Sequence, residues 1–368
     1  MKMACILRAI AIGALFLYGI QAHCENIPAA DGRVSYVGRT LSTDGSVSFD
    51  WTGVYLKVRF EGASLRVRLS DSKKNYYNVW IDAPMDQAPD QVIATFGQDS
   101  TVTLFAAEKP KAKKRVHQII LQKRTEGSQG RTTLHEFITD GRFLQADDPS
   151  ERVIEFIGDS YTCGYGTEAS NKERFSPETE NQNLTYACAT ARYFGAEQIV
   201  VAHSGMGIAR NYNGKITDDN MVTRYRNTFD SADAPQWNPI GRKPDITVIY
   251  LGTNDFSTSM QPAERVFVKN YIQLIREVKD FYGTEHPIVC MVPKHDIQIF
   301  TYVKNAVDNC ALPGVHILGL SPSVHNHDGD MGADGHPNYS GHKKIAYSLI
   351  PCISTITGWE LCESAPVR

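Results

Sequence analysis

The chain has 368 residues, 42% hydrophobic and 21% charged, with a formal net charge of −3. That length suits two domains, since domains cluster at roughly 100 to 200 residues. The composition excludes disordered, collagenous and multispanning classes, and the scattered charges offer no basic surface for nucleic acid or anionic lipid.

The first residues read as a secretory signal. Lys2 and Arg8 supply positive charge, Ala9–Ile20 is an apolar run too short to span a bilayer, and small or polar residues follow. Residues 1–24 are assigned to this signal, with cleavage near Ala22–Cys24, so the mature chain is expected to be secreted or periplasmic with no membrane span. The cysteines that remain are Cys163, Cys188, Cys290, Cys310, Cys352 and Cys362. In an oxidising compartment they are expected to form disulfides, and nearness in sequence suggests Cys163–Cys188, Cys290–Cys310 and Cys352–Cys362 among many possible connectivities. None has the C-x-x-C spacing of a zinc site.

Residues 27–147 carry short alternating runs: Val47/Phe49/Trp51, Leu56/Val58/Phe60, Leu65/Val67/Leu69 and Tyr77/Val79/Ile81, punctuated by Gly53, Gly62 and Asp71-Ser72. Further runs at Val92–Phe96, Val102–Phe105, Val116–Leu121 and Leu134–Ile138 continue the spacing. The pattern predicts an antiparallel β-sandwich of jelly-roll type. The Lys109–Lys114 stretch reads as a solvated hairpin loop.

After Asp147-Asp148-Pro149 the rhythm changes to apolar strands alternating with amphipathic stretches, as in an α/β domain with a parallel sheet flanked by helices, residues 148–368. Strands are predicted at Val153–Ile157, Gln198–Ala202, Ile246–Leu251, Ile288–Val292 and Val315–Leu320. Helices are predicted at Tyr186–Phe194, Ala263–Phe281, Ile297–Val307 and about Ser340–Ile350.

Ligands of an open parallel sheet bind beyond the carboxyl ends of its strands. Three of those ends run into Gly158-Asp159-Ser160-Tyr161, His203-Ser204-Gly205-Met206-Gly207 and Gly252-Thr253-Asn254-Asp255; Asp334-Gly335-His336-Pro337-Asn338 stands near the C-terminus. A serine at a strand exit becomes a nucleophile only if a base takes its proton, so Ser160 calls for a histidine, with His336 first and His203 second.

These four blocks, in this order, resemble those of the SGNH, or GDSL-like, hydrolases. The sandwich followed by Ile154-Glu155-Phe156-Ile157-Gly158-Asp159-Ser160-Tyr161-Thr162-Cys163-Gly164-Tyr165-Gly166 is similar to carbohydrate esterase family 2. The resemblance implies a jelly roll packed on an SGNH hydrolase domain, and a serine esterase that removes O-acetyl groups from plant polysaccharide (xylan, glucomannan or related) without metal or organic cofactor. The partner it implies is an acetylated polysaccharide or oligosaccharide. It assigns Ser160 as nucleophile, His336 as base, and the backbone N–H of Ser160 and Gly205 with the Asn254 amide as the oxyanion hole, Gly207 being a competitor to Gly205. Asp255 is expected to be a local hydrogen bonder.

The sequence departs from the superfamily at the acid. The place three residues before His336 is Ala333, and Asp334 stands two before, so either Asp334 orients the imidazole or a backbone carbonyl does so in a Ser-His dyad. Tyr161, Tyr165 and Phe256 are candidates to stack on sugar, with Tyr339 beside them, although aromatics next to strands are commonly core. His325-Asn326-His327-Asp328-Gly329-Asp330 offers nitrogen and oxygen donors but matches no zinc spacing, and reads as a solvated turn. Two rival functions remain: a carbohydrate-binding protein with little turnover, and an esterase acting on bacterial wall sugars or lipid.

Overall fold

The computed structural model describes residues 25–108, 115–238, 243–257, 260–293, 296–321, 324, 328–362 and 367. The predicted signal, the Lys109–Lys114 loop and His325–His327 lie outside the described residues. Among those described, no helix is long and apolar enough to cross a membrane.

Among the described residues, ten strands build the N-terminal half: β1 (Glu25–Pro28), β2 (Ser35–Val37), β3 (Leu41–Thr43), β4 (Ser46–Phe49), β5 (Tyr55–Glu61), β6 (Ser64–Ile81), β7 (Gln91–Ala106), β8 (Val116–Lys123), β9 (Thr132–Thr139) and β10 (Arg142–Leu144). Alternation decides which face is buried. On β5, Leu56, Val58 and Phe60 point inward while Lys57, Arg59 and Glu61 reach toward solvent. The antiparallel order is β10-β5-β8-β6-β9-β4-β3, with β1 on β9, β2 on β5 and β7 on β6.

Two long strands each merge runs that the sequence reading kept apart. The runs at 65–69 and 77–81, separated in the prediction by Asp71-Ser72, form the single strand β6, whose first half pairs with β9 and whose second half pairs with β8. Asp71 is no turn residue. It is buried inside the sheet, where its carboxylate accepts from Asn75 Nδ2, Tyr77 Oη, Thr132 Oγ1 and the Thr95 hydroxyl, so the chain bulges there without breaking. The predicted runs at 92–96 and 102–105 join in the same way into β7. Through β6 the two layers form one hydrogen-bonded sheet folded over a common core of Phe49, Val58, Val67, Val79, Leu121 and Phe137.

The second half is a parallel sheet of β11 (Val153–Gly158), β12 (Glu197–Ala202), β13 (Ile246–Tyr250), β14 (Ile288–Pro293) and β15 (Val315–Leu320), in the order β12-β11-β13-β14-β15. Its helices are α1 (Ser160–Cys163), α2 (Tyr186–Tyr193), α3 (Met221–Arg224), α4 (Glu264–Tyr282), α5 (Ile297–Asn309) and α6 (Tyr339–Thr357). Strands β11, β13 and β14 are buried along their whole length, as a sheet covered on both faces requires. Residues of α2 and α6 pack on one face; those of α4 and α5 pack on the other. Helix α6 runs seven residues beyond the predicted end at Ile350, past Pro351, and stops at Gly358 in the left-handed conformation. The chain leaves β11 to one side for β12 and returns to its other side for β13, which puts a ligand-binding crevice at the carboxyl end of β11.

The α4/α5 face and the N-terminal core form one continuous apolar cluster, which also includes Met206, Ile208 and Tyr225. A buried ion pair crosses the same boundary. Arg39 Nη2 lies 3.3 Å from Glu155 Oε1 on β11, and its guanidinium is 4.4 Å from the Trp237 ring. Glu155 also accepts from Tyr225 Oη, Tyr282 Oη and Thr247 Oγ1, so the buried charge is well hydrogen-bonded.

The expected disulfides are corrected by the structure: no two of the six described cysteines are bonded to each other. The interior thiols meet other groups. Cys188 Sγ faces Gln182 Oε1 at 3.1 Å and Cys310 Sγ faces the Val307 carbonyl at 3.1 Å, while Cys163 and Cys290 are fully buried on α1 and β14.

Candidate active site

Ser160 is the first residue of α1, directly beyond β11, and is 7% exposed. The Asp159 side chain caps this helix by accepting from Tyr161 N, and Gly164 closes it. The cap therefore leaves the Ser160 hydroxyl to other partners. His336 Nε2 lies 2.8 Å from Ser160 Oγ. Close approach of the two loops depends on Gly166, where a Cβ would meet Ala333 Cβ at 2.3 Å; the Ala333 N–H also donates to the Gly166 carbonyl at 3.2 Å.

Burial holds the His336 pKa below the usual histidine value, an effect partly offset by the backbone carbonyls of Asp334 and Ala333 near the ring. Among the described residues, no group meets its buried Nδ1 with good hydrogen-bond geometry. The Asp334 carboxylate, the sequence candidate for that position, is directed elsewhere. It accepts from Phe175 N at 3.0 Å, Arg174 Nη1 at 3.1 Å and Tyr165 Oη at 3.3 Å. The cause is local: Asp334 is left-handed at φ 48° and Gly335 follows at φ 76°, a turn that presents His336 inward and sends the Asp334 side chain to the 174–175 loop. The Phe175 N–H, chiefly, holds this carboxyl below its usual pKa.

Ser160, His336, Asn254, Tyr161, Tyr212 and Tyr250 line one cavity of about 200 Å³. Asn254, on a turn beyond β13, donates from Nδ2 to Asp159 Oδ2 and to the Met206 carbonyl, each at 3.0 Å. Its amide is thus fixed in orientation, and an oxyanion would share or take over one of these N–H groups. Asp159 is pushed up to about 7 by burial. Gly205, left-handed at φ 80°, is not itself among the residues lining the cavity; it adjoins Tyr212, which does line it, with Tyr212 Cβ 3.5 Å from where a Gly205 Cβ would be and the Tyr212 N–H donating to the Gly205 carbonyl at 2.7 Å. Gly207 is packed against the Arg210 carbonyl, and its N–H donates to Asn211 Oδ1. Asp255 accepts the N–H groups of Ile208, Ala209 and Arg210, which is a structural hydrogen-bonding position.

The other candidates divide. His203 is engaged by Asp230, with Nδ1 2.7 Å from Oδ2, while Ser160 is met by His336. Tyr161 and Tyr165 both lie against the His336 ring, at 5.4 and 4.3 Å between centroids, and Tyr165 stacks on Phe175. Phe256 is a correction: it packs on Phe267 and Tyr302 between helices and does not line the cavity, as an apolar side chain beside α4 and α5 would. Asp330, last of the His/Asp-rich stretch, is buried and binds Ser340 Oγ and Lys344 at the start of α6.

Tyr212 escaped the sequence reading. It is 62% exposed at the cavity, and its only signal was a tyrosine inside the turn-rich Asn211-Tyr212-Asn213-Gly214. Among the described residues, one buried group, Glu126, Cys163 and Glu180, brings three potential metal-ligand atoms together. Three of its four carboxylate oxygens accept hydrogen bonds, from Ser128, Ser204 and the Glu126 N–H, and Glu180 Oε2 has no hydrogen-bond partner among the described residues. A larger cavity of about 860 Å³ between the domains holds none of the candidate residues and is crossed by the Lys57–Glu197 and Arg59–Asp147 ion pairs.

Comparison with known proteins gives matches over both halves. Residues 36–146 match the family described as Carbohydrate esterase 2 N-terminal, and residues 156–344 match the GDSL-like Lipase/Acylhydrolase family. The chain is 33% identical over 316 residues to cellulase/esterase CelE of Acetivibrio thermocellus, covering 84% of this chain but spanning only 38% of that protein's length. It is 28% identical to an acetylxylan esterase / glucomannan deacetylase of Cellvibrio japonicus, over 92% of this chain and 93% of the relative. Among solved structures, a family two carbohydrate esterase from Clostridium thermocellum in complex with cellohexaose matches at 31% identity and a TM-score of 0.79, over 89% of this chain and 100% of that one.

Proposed function

The chain belongs to the family 2 carbohydrate esterases, and from that premise we propose that it is a secreted enzyme removing O-acetyl groups from plant polysaccharide, xylan or glucomannan, through an acetyl-serine intermediate. The observation that carries the mechanism is the 2.8 Å approach of His336 Nε2 to Ser160 Oγ at the carboxyl end of β11. His336 takes the serine proton as Oγ attacks the acetyl carbonyl. The Ser160 and Gly205 N–H groups and the Asn254 amide stabilise the oxyanion, and the intermediate collapses as His336 returns the proton to the departing sugar oxygen. Water, activated by the same imidazole, then releases acetate and frees Ser160. Tyr212 and Tyr161 offer aromatic faces at the cavity to a sugar ring. Comparing acetate release from acetylated xylan, acetylated glucomannan and O-acetylated peptidoglycan tests the substrate; release from peptidoglycan alone overturns it.

Because the described contacts put no carboxylate on His336 Nδ1, the reading is a Ser-His dyad. Asp334→Asn is then expected to retain activity within about tenfold of wild type, roughly 1.4 kcal/mol, whereas a triad acid loses about 10⁴ in turnover. Steady-state kinetics on a chromogenic acetate decide between them.

The base works only as the neutral imidazole, and burial lowers its pKa. The acid limb of kcat/KM should therefore have its midpoint below the unperturbed histidine value of about 6.5, with activity falling as pH drops through it. A midpoint above that value contradicts the assignment, unless Asp159→Asn removes it.

A second reading, glycan binding with little turnover, draws on the cellohexaose bound by the Clostridium thermocellum relative. Failure to hydrolyse any acetate ester while binding cello-oligosaccharide would favour it.

A further inference from the structure

The mechanism leaves a buried carboxylate from the other domain without a role. Glu126 sits in the loop between β8 and β9, is 4% exposed, and accepts from Ser128 Oγ at 2.6 Å through Oε1. Through Oε2 it accepts the main-chain N–H of Ser204, also at 2.6 Å. It is itself braced: its N–H donates to Glu180 Oε1 at 2.9 Å, and Lys123 Nζ donates to its carbonyl at 3.0 Å. Cys163, on the short helix that Ser160 begins, closes the same buried group. Glu126 is thus wedged between the nucleophile helix and the turn that carries Gly205.

The direction of the Gly205 N–H depends on the peptide plane between Ser204 and Gly205. A glycine at φ 80° cannot hold that plane by its own sterics, because without Cβ it turns at little cost. The planes on either side must fix it. The Met206 N–H on the His203 carbonyl, 3.1 Å, ties the two flanking planes to each other; from outside the turn, the following plane is held by the Tyr212 N–H on the Gly205 carbonyl and the preceding one by the Ser204 N–H on Glu126. Among the described residues the buried Ser204 hydroxyl has no hydrogen-bond partner, so it contributes no anchor there. An N–H bonded to a carboxylate is also a stronger tether than one bonded to a neutral oxygen.

We propose that Glu126 is a positioning residue, a jelly-roll carboxylate that holds the Ser204–Gly205 turn so that the Gly205 N–H points at the developing oxyanion. The inference rests on the oxyanion role of Gly205 given above. It makes the N-terminal domain part of the catalytic apparatus.

The test compares wild type, Glu126→Ala, Glu126→Asp, Glu126→Gln and Asn254→Ala on 4-nitrophenyl acetate and on acetylated xylo-oligosaccharide. Each preparation is normalised to active sites titrated with a phosphonate that reacts with Ser160. Glu126→Ala is expected to lower kcat per titrated site about ten- to a hundredfold with KM nearly unchanged. Glu126→Gln keeps an oxygen for the Ser204 N–H and is expected to recover most of that loss. A merely structural role would reduce the fraction of titratable sites and leave kcat per site intact, and that result overturns the proposal, as does a Gln variant as slow as Ala. If Glu126→Ala does not fold, Glu126→Asp decides, since it keeps the charge but shortens the reach: a loss of kcat per site supports positioning and no loss overturns it. Asn254→Ala separates the two levels. If it is slow while the Glu126 variants are not, only this inference fails; if it too keeps full kcat, the oxyanion reading fails.

Discussion

Ser160→Ala is expected to lower esterase turnover by about 10⁴-fold or more while the protein stays folded and still binds acetylated oligosaccharide. The fold does not depend on this hydroxyl. Its hydrogen-bond partner is His336, and the helix it begins is capped by Asp159. His336→Ala should be nearly as inactive, since no other described base meets Ser160 and His203 is engaged by Asp230. Because the two residues act as one unit, the double variant should be scarcely slower than either single one. Acetate release measured beside circular dichroism and oligosaccharide calorimetry checks all three. Substantial turnover by folded Ser160→Ala would sink the covalent mechanism.

Asn254→Ala should cost about 10² to 10³ in kcat, roughly 2.7 to 4 kcal/mol, with little change in substrate affinity, because the amide matters most once the carbonyl oxygen carries charge. The same truncation leaves Asp159 Oδ2 and the Met206 carbonyl without the donor they now share, so some loss of thermal stability is expected as well. Kinetics per folded enzyme separate the two effects. A raised KM at constant kcat would make Asn254 a binding residue instead.

What was legible in the sequence was what depends on local pattern. Alternation revealed β5, and largely apolar runs, interrupted at Glu155 and Thr247, revealed β11, β13 and β14, because burial on both faces imposes that composition along a strand. Three of the four motif blocks lie just past strand ends and the fourth stands just before α6, and the topology brings Ser160, Asn254 and His336 to one cavity. What depends on side-chain direction was hidden. Asp334 stands two residues before His336, yet a left-handed turn sends its carboxylate to Phe175 and Arg174. Asp71-Ser72 reads as a turn until the four donors that satisfy Asp71 inside the sheet are seen. Phe256 carries no mark of its place between α4 and α5. Glu126 lies well before the first motif in an ordinary loop, and its partner is a backbone N–H, which leaves no trace in residue identity.

The shared apolar cluster and the Arg39–Glu155 pair bear on how such a protein can be rebuilt or inherited. Glu155 stands on the strand that delivers Ser160, so a hydrolase half cut away from its sandwich would keep an interior carboxylate stripped of its cation. The sandwich is therefore not an accessory cassette to be exchanged like a tethered binding module. Grafts between relatives have to carry both halves across the seam together, and a change at Arg39 is tolerated only alongside a matching change at Glu155.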